Sequence, residues 1–94
     1  MVVVLAKMSV KPERQAEFIE RARPVVAATR AEKGNVSYTL YKSTENEREL
    51  IYVEEWESKS ALALHLESEH LLKFKKERAE MMAGETNAKI YETR

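Results

Sequence analysis

The chain has 94 residues, no cysteine, and 16 Lys and Arg residues that balance 16 Asp and Glu residues. We assign residues 1–94 to a single domain, because a chain of this length supplies only one core. A net charge of zero argues against nucleic-acid and membrane-surface binders, which need a field of one sign. The lack of cysteine excludes disulfides and thiolate chemistry, and it suits a reducing, cytoplasmic location.

The first half of the chain predicts a strand, a helix and a second strand. The start, MVVVLAKMSV, reaches Lys7 too soon for a membrane span and lacks signal-peptide features, so residues 2–10 are interpreted as a strand buried on both faces. Pro12 opens a helix, Pro24 is expected to kink it, and Gly34 is expected to end it. The alternation in residues 36–42 predicts the second strand.

The second half completes the pattern. Residues 49–56 form the return strand of a hairpin across a polar connector, and Ser58 or Ser60 caps the following helix. A further helical run from about 69 to 82 precedes a last strand at 88–93. The order β-α-β-β-α-β predicts an α+β, ferredoxin-like split fold with a four-stranded antiparallel sheet.

Two strands carry apolar side chains on both faces, in residues 2–5 and 50–53. Helices of a two-layer domain cover only one face of the sheet. The second face needs a cover that this short chain cannot supply, and an exposed apolar face promotes aggregation. We therefore expect a homodimer that packs sheet to sheet.

Both histidines lie in one short segment, EEWESKSALALHLESEH, residues 54–70. His65 and His70 are five positions apart, about 140° around a continuous helix, and zinc pairs use i and i+4, so no metal site is expected. If the helix breaks with Ser68 as the cap of a new one, both rings could share a pocket. A neutral His70 in a first turn could then act as a base. Otherwise His65 packs in the core and His70 is a surface residue.

The residues before the histidines leave similar alternatives open. Trp56 faces the same side as Tyr52, either as a core aromatic or as a ligand contact. Glu54 and Glu55 are expected at a solvated strand end. Met8 suits a flat organic ligand but is also ordinary core filler. No glycine-rich phosphate loop is present, which argues against nucleotide cofactors.

Several segments together resemble the antibiotic biosynthesis monooxygenase family. They are VVVLAKMSVKPERQAEF, ATRAEKGNVSYTLY, YVEEWESKSALALHLESEHLLKF and AKIYE, with Trp56-Glu57-Ser58 followed by the run from His65 to His70. The resemblance implies a dimeric ferredoxin-like α/β barrel with a ligand cleft between sheet and helices. The family includes cofactor-free monooxygenases that oxidise polycyclic phenols or quinols, haem-degrading enzymes and enzymes that process a phosphorylated signal. The likeness is closest to the quinol and signal-processing groups.

Departures from the family pattern narrow the choice among these groups of enzymes. The haem-degrading group has an Asn, a Trp and a His where this chain has Ala6, His65 and about Lys75. The polyketide oxygenases match at Trp56, but their Asn four residues earlier is Tyr52 here. Haem degradation is therefore disfavoured, and the substrate is not expected to be that of the polyketide enzymes.

The resemblance implies a monooxygenase without cofactor or metal that oxidises a small aromatic or quinol ligand. His65 or His70 is the candidate base, and the candidate substrate contacts are Trp56, Tyr52, Met8, Leu62, Phe74 and Arg78. One alternative is an isomerase or processing enzyme for a phosphorylated signal, with the phosphate held by Arg78, Lys73 or Lys75. The other is a non-catalytic ligand-binding dimer.

Overall fold

The computed structural model describes residues 1–93. The elements are β1 (Val2–Ser9), α1 (Gln15–Arg30), β2 (Asn35–Lys42), β3 (Glu49–Trp56), α2 (Lys59–Leu66), α3 (Glu69–Arg78) and β4 (Asn87–Glu92). A short 3₁₀ turn precedes α1 and another follows α3. The predicted order is confirmed, with the second helical segment divided into α2 and α3. None of the helices in residues 1–93 combines the length and apolar character needed to cross a bilayer.

The four strands form one antiparallel sheet in the order β2-β3-β1-β4. The central strand β1 pairs with β3, placing Ala6 opposite Tyr52, and with β4, placing Val4 opposite Ile90. This is the split β-α-β-β-α-β topology of the ferredoxin-like α+β fold, as predicted. Within one chain the sheet is open, with β2 and β4 at its edges.

The helices cover one face of the sheet, and the core lies between these two layers. Alternate residues of β1 and β3 are buried there, as the twofold periodicity of a strand requires. The rings of Phe18 on α1 and Phe74 on α3 lie 5.4 Å apart and join the two helices. α1 continues through Pro24. It ends at Arg30, four residues before the predicted stop at Gly34.

The opposite face of the sheet carries apolar side chains that no helix or strand within residues 1–93 covers. Cross-strand pairs such as Leu5 with Val53 and Val3 with Tyr91 lie on this face. Within a single chain β1 is buried on one face only, and Val3 and Leu5 on the other face are half-buried, as expected for a face that this chain cannot cover by itself. Tyr91 remains 48% exposed. We call this surface the outer sheet face.

Gly34 brings the turn after α1 close to α2. Its φ of +90° lies in the left-handed region, and a Cβ built there would be 2.5 Å from Cβ of Ala61. Its carbonyl accepts a hydrogen bond of 2.8 Å from the amide of Glu57. Only glycine satisfies both the backbone angle and the close approach. The turn that contains Glu32 is thereby held next to the histidine segment.

Candidate functional site

The helical run that contains the two histidines is broken between them. α2 ends at Leu66 and α3 begins at Glu69, with Ser68 in the N-cap position. The hydroxyl of Ser68 does not cap α3 but donates to the carbonyl of His65 at 2.7 Å. The predicted break is therefore confirmed. The separation of 140°, which assumed one continuous helix, does not apply to these rings.

Glu32 joins the two histidines. Its Oε2 lies 2.8 Å from Nδ1 of His65 and 2.8 Å from Nε2 of His70. Glu32 comes from the turn after α1, far from both rings in the sequence. Glu32 was not among the predicted site residues. We call Glu32, His65 and His70 the carboxylate–histidine cluster.

The hydrogen bonds of the cluster determine which ring nitrogens remain free. An ionised carboxylate only accepts, so both histidines donate to Glu32. This leaves Nε2 of His65 and Nδ1 of His70 as proton acceptors. Burial lowers the pKa of His65, and the hydrogen bond and charge of Glu32 oppose this effect in part. A neutral His65 is thus ready to accept a proton near pH 7.

The cluster also has the donor types that transition metals prefer. Its three donor atoms lie within 4.8 Å of one another. One oxygen of Glu32 already accepts hydrogen bonds from both rings, so the arrangement is satisfied as a hydrogen-bonded unit. We therefore interpret the cluster through its proton chemistry.

A cavity of about 150 Å³ lies between the sheet and helices α2 and α3. Five of the predicted site residues contribute to its wall: Met8, Tyr52, Leu62, His65 and Arg78. The other lining residues are mainly apolar side chains of β1, β4 and the two helices. A larger depression along residues 42–48 is open and contains neither histidine.

Three predicted site residues lie outside this wall. Trp56 is fully buried, with its ring centroid 4.7 Å from that of His65, so it packs against the imidazole without lining the cavity. Phe74 fills the core against Phe18. His70 lies in a separate depression beside α1, together with Lys73. Of the two histidines, only His65 borders the cavity.

Arg78 brings a buried positive charge to the cavity. It is 8% exposed, and within residues 1–93 its only hydrogen-bond acceptor is Sδ of Met8 at 3.6 Å. It makes no ion pair in that range, although burial lowers the pKa of its guanidinium. The buried hydroxyl of Tyr52 also has no partner there, and burial raises the pKa of Tyr52 to about 12. A cation and a free hydroxyl in one apolar cavity favour an anionic ligand group.

Glu54 is the second carboxyl group of the site. The expectation that it lies at a solvated strand end is wrong, because it is 5% exposed and lines the cavity. Its Oε1 accepts a hydrogen bond of 2.9 Å from Nε1 of Trp56. Burial raises the pKa of Glu54 to about 7. This carboxyl can therefore hold a proton at neutral pH, which an exposed glutamate cannot.

Comparison with known proteins places this geometry in a family. The family model described as "Antibiotic biosynthesis monooxygenase" matches residues 1–77. The chain is 32% identical over 84 residues to the Bacillus subtilis protein named "Putative monooxygenase YcnE", covering 89% of this chain and 88% of that protein.

Solved structures share this fold over almost the whole chain. A conserved protein from Methanosarcina mazei superimposes with a TM-score of 0.93 at 31% identity, covering 99% of this chain and 92% of that one. Rv0793 from Mycobacterium tuberculosis superimposes with a TM-score of 0.89 at 27% identity, covering 99% and 94% of the two chains. The chain belongs to the antibiotic biosynthesis monooxygenase family.

Proposed function

We propose that this protein is a cofactor-independent monooxygenase that uses O₂ to oxidise a small aromatic compound of the quinol type. Family membership and the name of the Bacillus subtilis relative support a monooxygenase-type function. The observation that carries the proposal is the pairing of a neutral imidazole, supported by Glu32, with an unpaired buried cation at one cavity wall. These groups serve the removal of a proton and the stabilisation of the resulting anion.

The first step is proton transfer from a substrate hydroxyl to Nε2 of His65. Glu32 accepts from Nδ1 and so stabilises the imidazolium that forms. The guanidinium of Arg78 and the hydroxyl of Tyr52 lie in the same cavity and suit the phenolate oxygen. A phenolate is rich in electrons and can itself reduce O₂, so the substrate supplies the electrons that a flavin or metal supplies elsewhere.

The second stage forms and breaks bonds to oxygen. A ring carbon of the anion bonds to O₂, and the imidazolium of His65 returns its proton to the resulting peroxide, which gives a hydroperoxide on a carbon that still carries hydrogen. Loss of that hydrogen as a proton and cleavage of the O–O bond give a carbonyl and water. One oxygen atom enters the product, the other becomes water, and the substrate supplies four electrons. The mostly apolar wall of the cavity limits the contact of the intermediates with water.

The volume of the cavity limits the substrate. An apolar protein cavity of about 150 Å³ can hold benzene, and the cavity of this chain has about that volume. One-ring quinols should therefore fit better than polycyclic ones.

Oxygen consumption tests the proposal. The protein is added to a panel of quinols with one and two rings in an oxygen electrode, with the autoxidation rate of each quinol subtracted. We expect uptake with at least one quinol, loss of turnover under nitrogen, and incorporation of one atom from ¹⁸O₂ into the product. Equal rates with and without the protein across the panel would contradict the proposal.

A second candidate is proton transfer on a small phosphorylated compound. It is favoured by Arg78 and Lys75, which both line the cavity, whereas Lys73 lies at the separate depression of His70. Such a reaction would proceed under nitrogen. The anaerobic arm of the same experiment therefore separates the two activities, and a ligand-binding protein without activity would turn over neither substrate class.

We further propose that the protein acts as a homodimer. The outer sheet face is apolar, and its residues Val3, Leu5, Ile51 and Val53 are only half-buried in one chain. A second copy packed on this face would remove them from water and close the barrel that the sheet leaves open. The lack of cysteine supports a cytoplasmic location within the same proposal.

A further inference from the structure

We infer that Glu54 donates the proton to the leaving oxygen when the O–O bond of the substrate hydroperoxide breaks. This inference rests on the proposed monooxygenase function and assigns a role to a buried carboxyl that the first proton transfer does not use. It concerns the last chemical step only. His65 and Arg78 keep the roles given above.

The position of Glu54 suits this role. It lies on β3 between Tyr52 and Trp56, with its side chain on the helix-facing side of the sheet, and it lines the same cavity as His65. Trp56 donates to Oε1 and thereby orients the carboxyl group. No hydrogen bond from the rest of residues 1–93 reaches Oε2. That oxygen is left to carry a proton and to donate it to a bound ligand.

The chemistry of the step requires two separate groups. Loss of water from a carbon that bears both hydrogen and a hydroperoxide needs a base for the hydrogen and an acid for the departing oxygen. If His65 accepts the proton from carbon, the electron pair of the former C–H bond forms the C=O bond and the O–O bond breaks. The outer oxygen leaves with the O–O electron pair and takes the proton of Glu54, so water is released rather than hydroxide. The proton gained by His65 and the proton lost by Glu54 balance.

The surroundings of Glu54 keep it protonated at the start of this step. Burial raises the pKa of Glu54, the negative charge of Glu32 acts in the same direction, and the hydrogen bond from Trp56 opposes both. A carboxyl group whose pKa lies near the working pH is an effective general acid.

The test compares product formation with peroxide release in Glu54→Gln. Glutamine keeps the size of the side chain and can still accept from Trp56, but it has no acidic proton. A hydroperoxide that cannot lose water expels peroxide instead, giving the quinone and H₂O₂ without oxygen incorporation. We expect continued O₂ uptake, with formation of the oxygenated product reduced by about two to four orders of magnitude. Adding catalase to the oxygen electrode should return half of the consumed O₂.

Two further variants complete the experiment. Glu54→Asp retains a carboxylic acid and should recover part of the oxygenated product. Glu57→Gln changes an exposed glutamate that directly follows Trp56, and it should leave the product yield unchanged. Circular dichroism of each variant verifies the fold.

Each outcome is decisive. An unchanged ratio of product to peroxide in Glu54→Gln overturns the role of Glu54 and leaves the monooxygenase proposal intact. Loss of all O₂ uptake in a folded Glu54→Gln also overturns the proposed role, because Glu54 would then act before oxygen is reduced. Absence of uptake by the unmodified protein on every quinol overturns the proposed function and this inference with it.

Discussion

Nδ1 of His65 lies 2.8 Å from Oε2 of Glu32, although 33 positions separate the two residues in the chain. The same carboxylate oxygen accepts from His70, which borders a different depression. Glu32 therefore fixes the tautomers of two imidazoles. The buried ring of His65 lines the cavity, and the partly exposed ring of His70 borders the depression beside α1. This relationship makes Glu32 the positioning residue of the site.

Glu32→Gln should weaken the base without removing it. Glutamine is uncharged and cannot stabilise the imidazolium of His65, so the pKa of His65 falls further below its ordinary value. We expect kcat/KM to fall by about one to two orders of magnitude, part of the contribution of a general base. The acid limb of the pH–rate profile should move to lower pH. Glu57→Gln, an exposed control, should leave that limb in place.

Substitution of each histidine should identify the base. His65 lines the cavity and His70 does not, so only His65 can reach a ligand bound there. We expect His65→Gln to lower turnover by about two to four orders of magnitude, and His70→Gln to lower it by less than about tenfold. Steady-state oxygen uptake measures both. The reverse order of effects would assign the base to His70 and contradict the present arrangement.

The order of elements was predictable because it depends on local patterns. Alternation in residues 36–42 and 49–56 identified the hairpin, and Ser68 marked the break between α2 and α3. Alternation also placed Glu54 on the same side as Tyr52 and Trp56. It did not indicate that Glu54 is buried, because two adjacent glutamates at a strand end are typical of a solvated position.

The contacts of the site were less predictable because they depend on tertiary packing. Glu32 reaches the histidines from a turn that the local sequence does not connect to them. The signal available was Gly34, whose left-handed backbone indicates a close approach, but glycine does not specify what it approaches. Phe74 was among the predicted ligand contacts, and the structure places it in the core against Phe18. Helical periodicity identifies an inner face and not an empty space on that face.

The raised pKa of Glu54 should make stability depend on pH. Its carboxyl has an ordinary pKa of 4.5 and a pKa of about 7 in the fold. Between these values the unfolded chain is ionised while the folded chain keeps its proton, so this group contributes stability below pH 4.5 that is lost as the pH rises through 7. As the pH increases through this range, the free energy of unfolding of Glu54→Gln should therefore rise relative to that of the unmodified protein, by up to about 3 kcal/mol.

Chemical denaturation of both proteins at pH 5 and pH 8 measures this difference. The exposed variant Glu57→Gln serves as the control, and its difference from the unmodified protein should stay constant. A constant difference for Glu54→Gln as well would show that Glu54 titrates near its ordinary pKa in the fold.

A charge on the outer sheet face should prevent association. Val53 lies opposite Leu5 near the middle of this face. Val53→Glu would bury a charge between two sheets, which is unfavourable without a partner. In sedimentation velocity at micromolar concentration we expect a dimer for the unmodified protein and a monomer for Val53→Glu. Leu64→Glu, on the 69% exposed side chain of α2, should remain dimeric. A monomeric unmodified protein would contradict the dimer proposal.

Substitution of Gly34 should destabilise the fold through two distinct effects. An alanine there must adopt a φ of +90°, which costs about 1–3 kcal/mol. Its Cβ would also meet that of Ala61 at 2.5 Å, so the turn and α2 must separate. Since Glu32 lies two residues before Gly34, this shift should lengthen the hydrogen bond to His65 and lower activity as well. Thermal unfolding and oxygen uptake measure the two consequences.

Two companion variants separate these effects of Gly34→Ala. Gly84→Ala is the matched control, because the nearest atom to a Cβ there is Cβ of Ser9 at an ordinary 3.8 Å, and its cost should stay within about 0.5 kcal/mol. The double variant Gly34→Ala with Ala61→Gly removes the contact but retains the strained backbone. Its loss of stability should be smaller than the sum of the two single losses. Additive losses would mean that the close contact between the turn and α2 does not contribute to the loss of stability. Backbone strain alone would then determine the requirement for glycine.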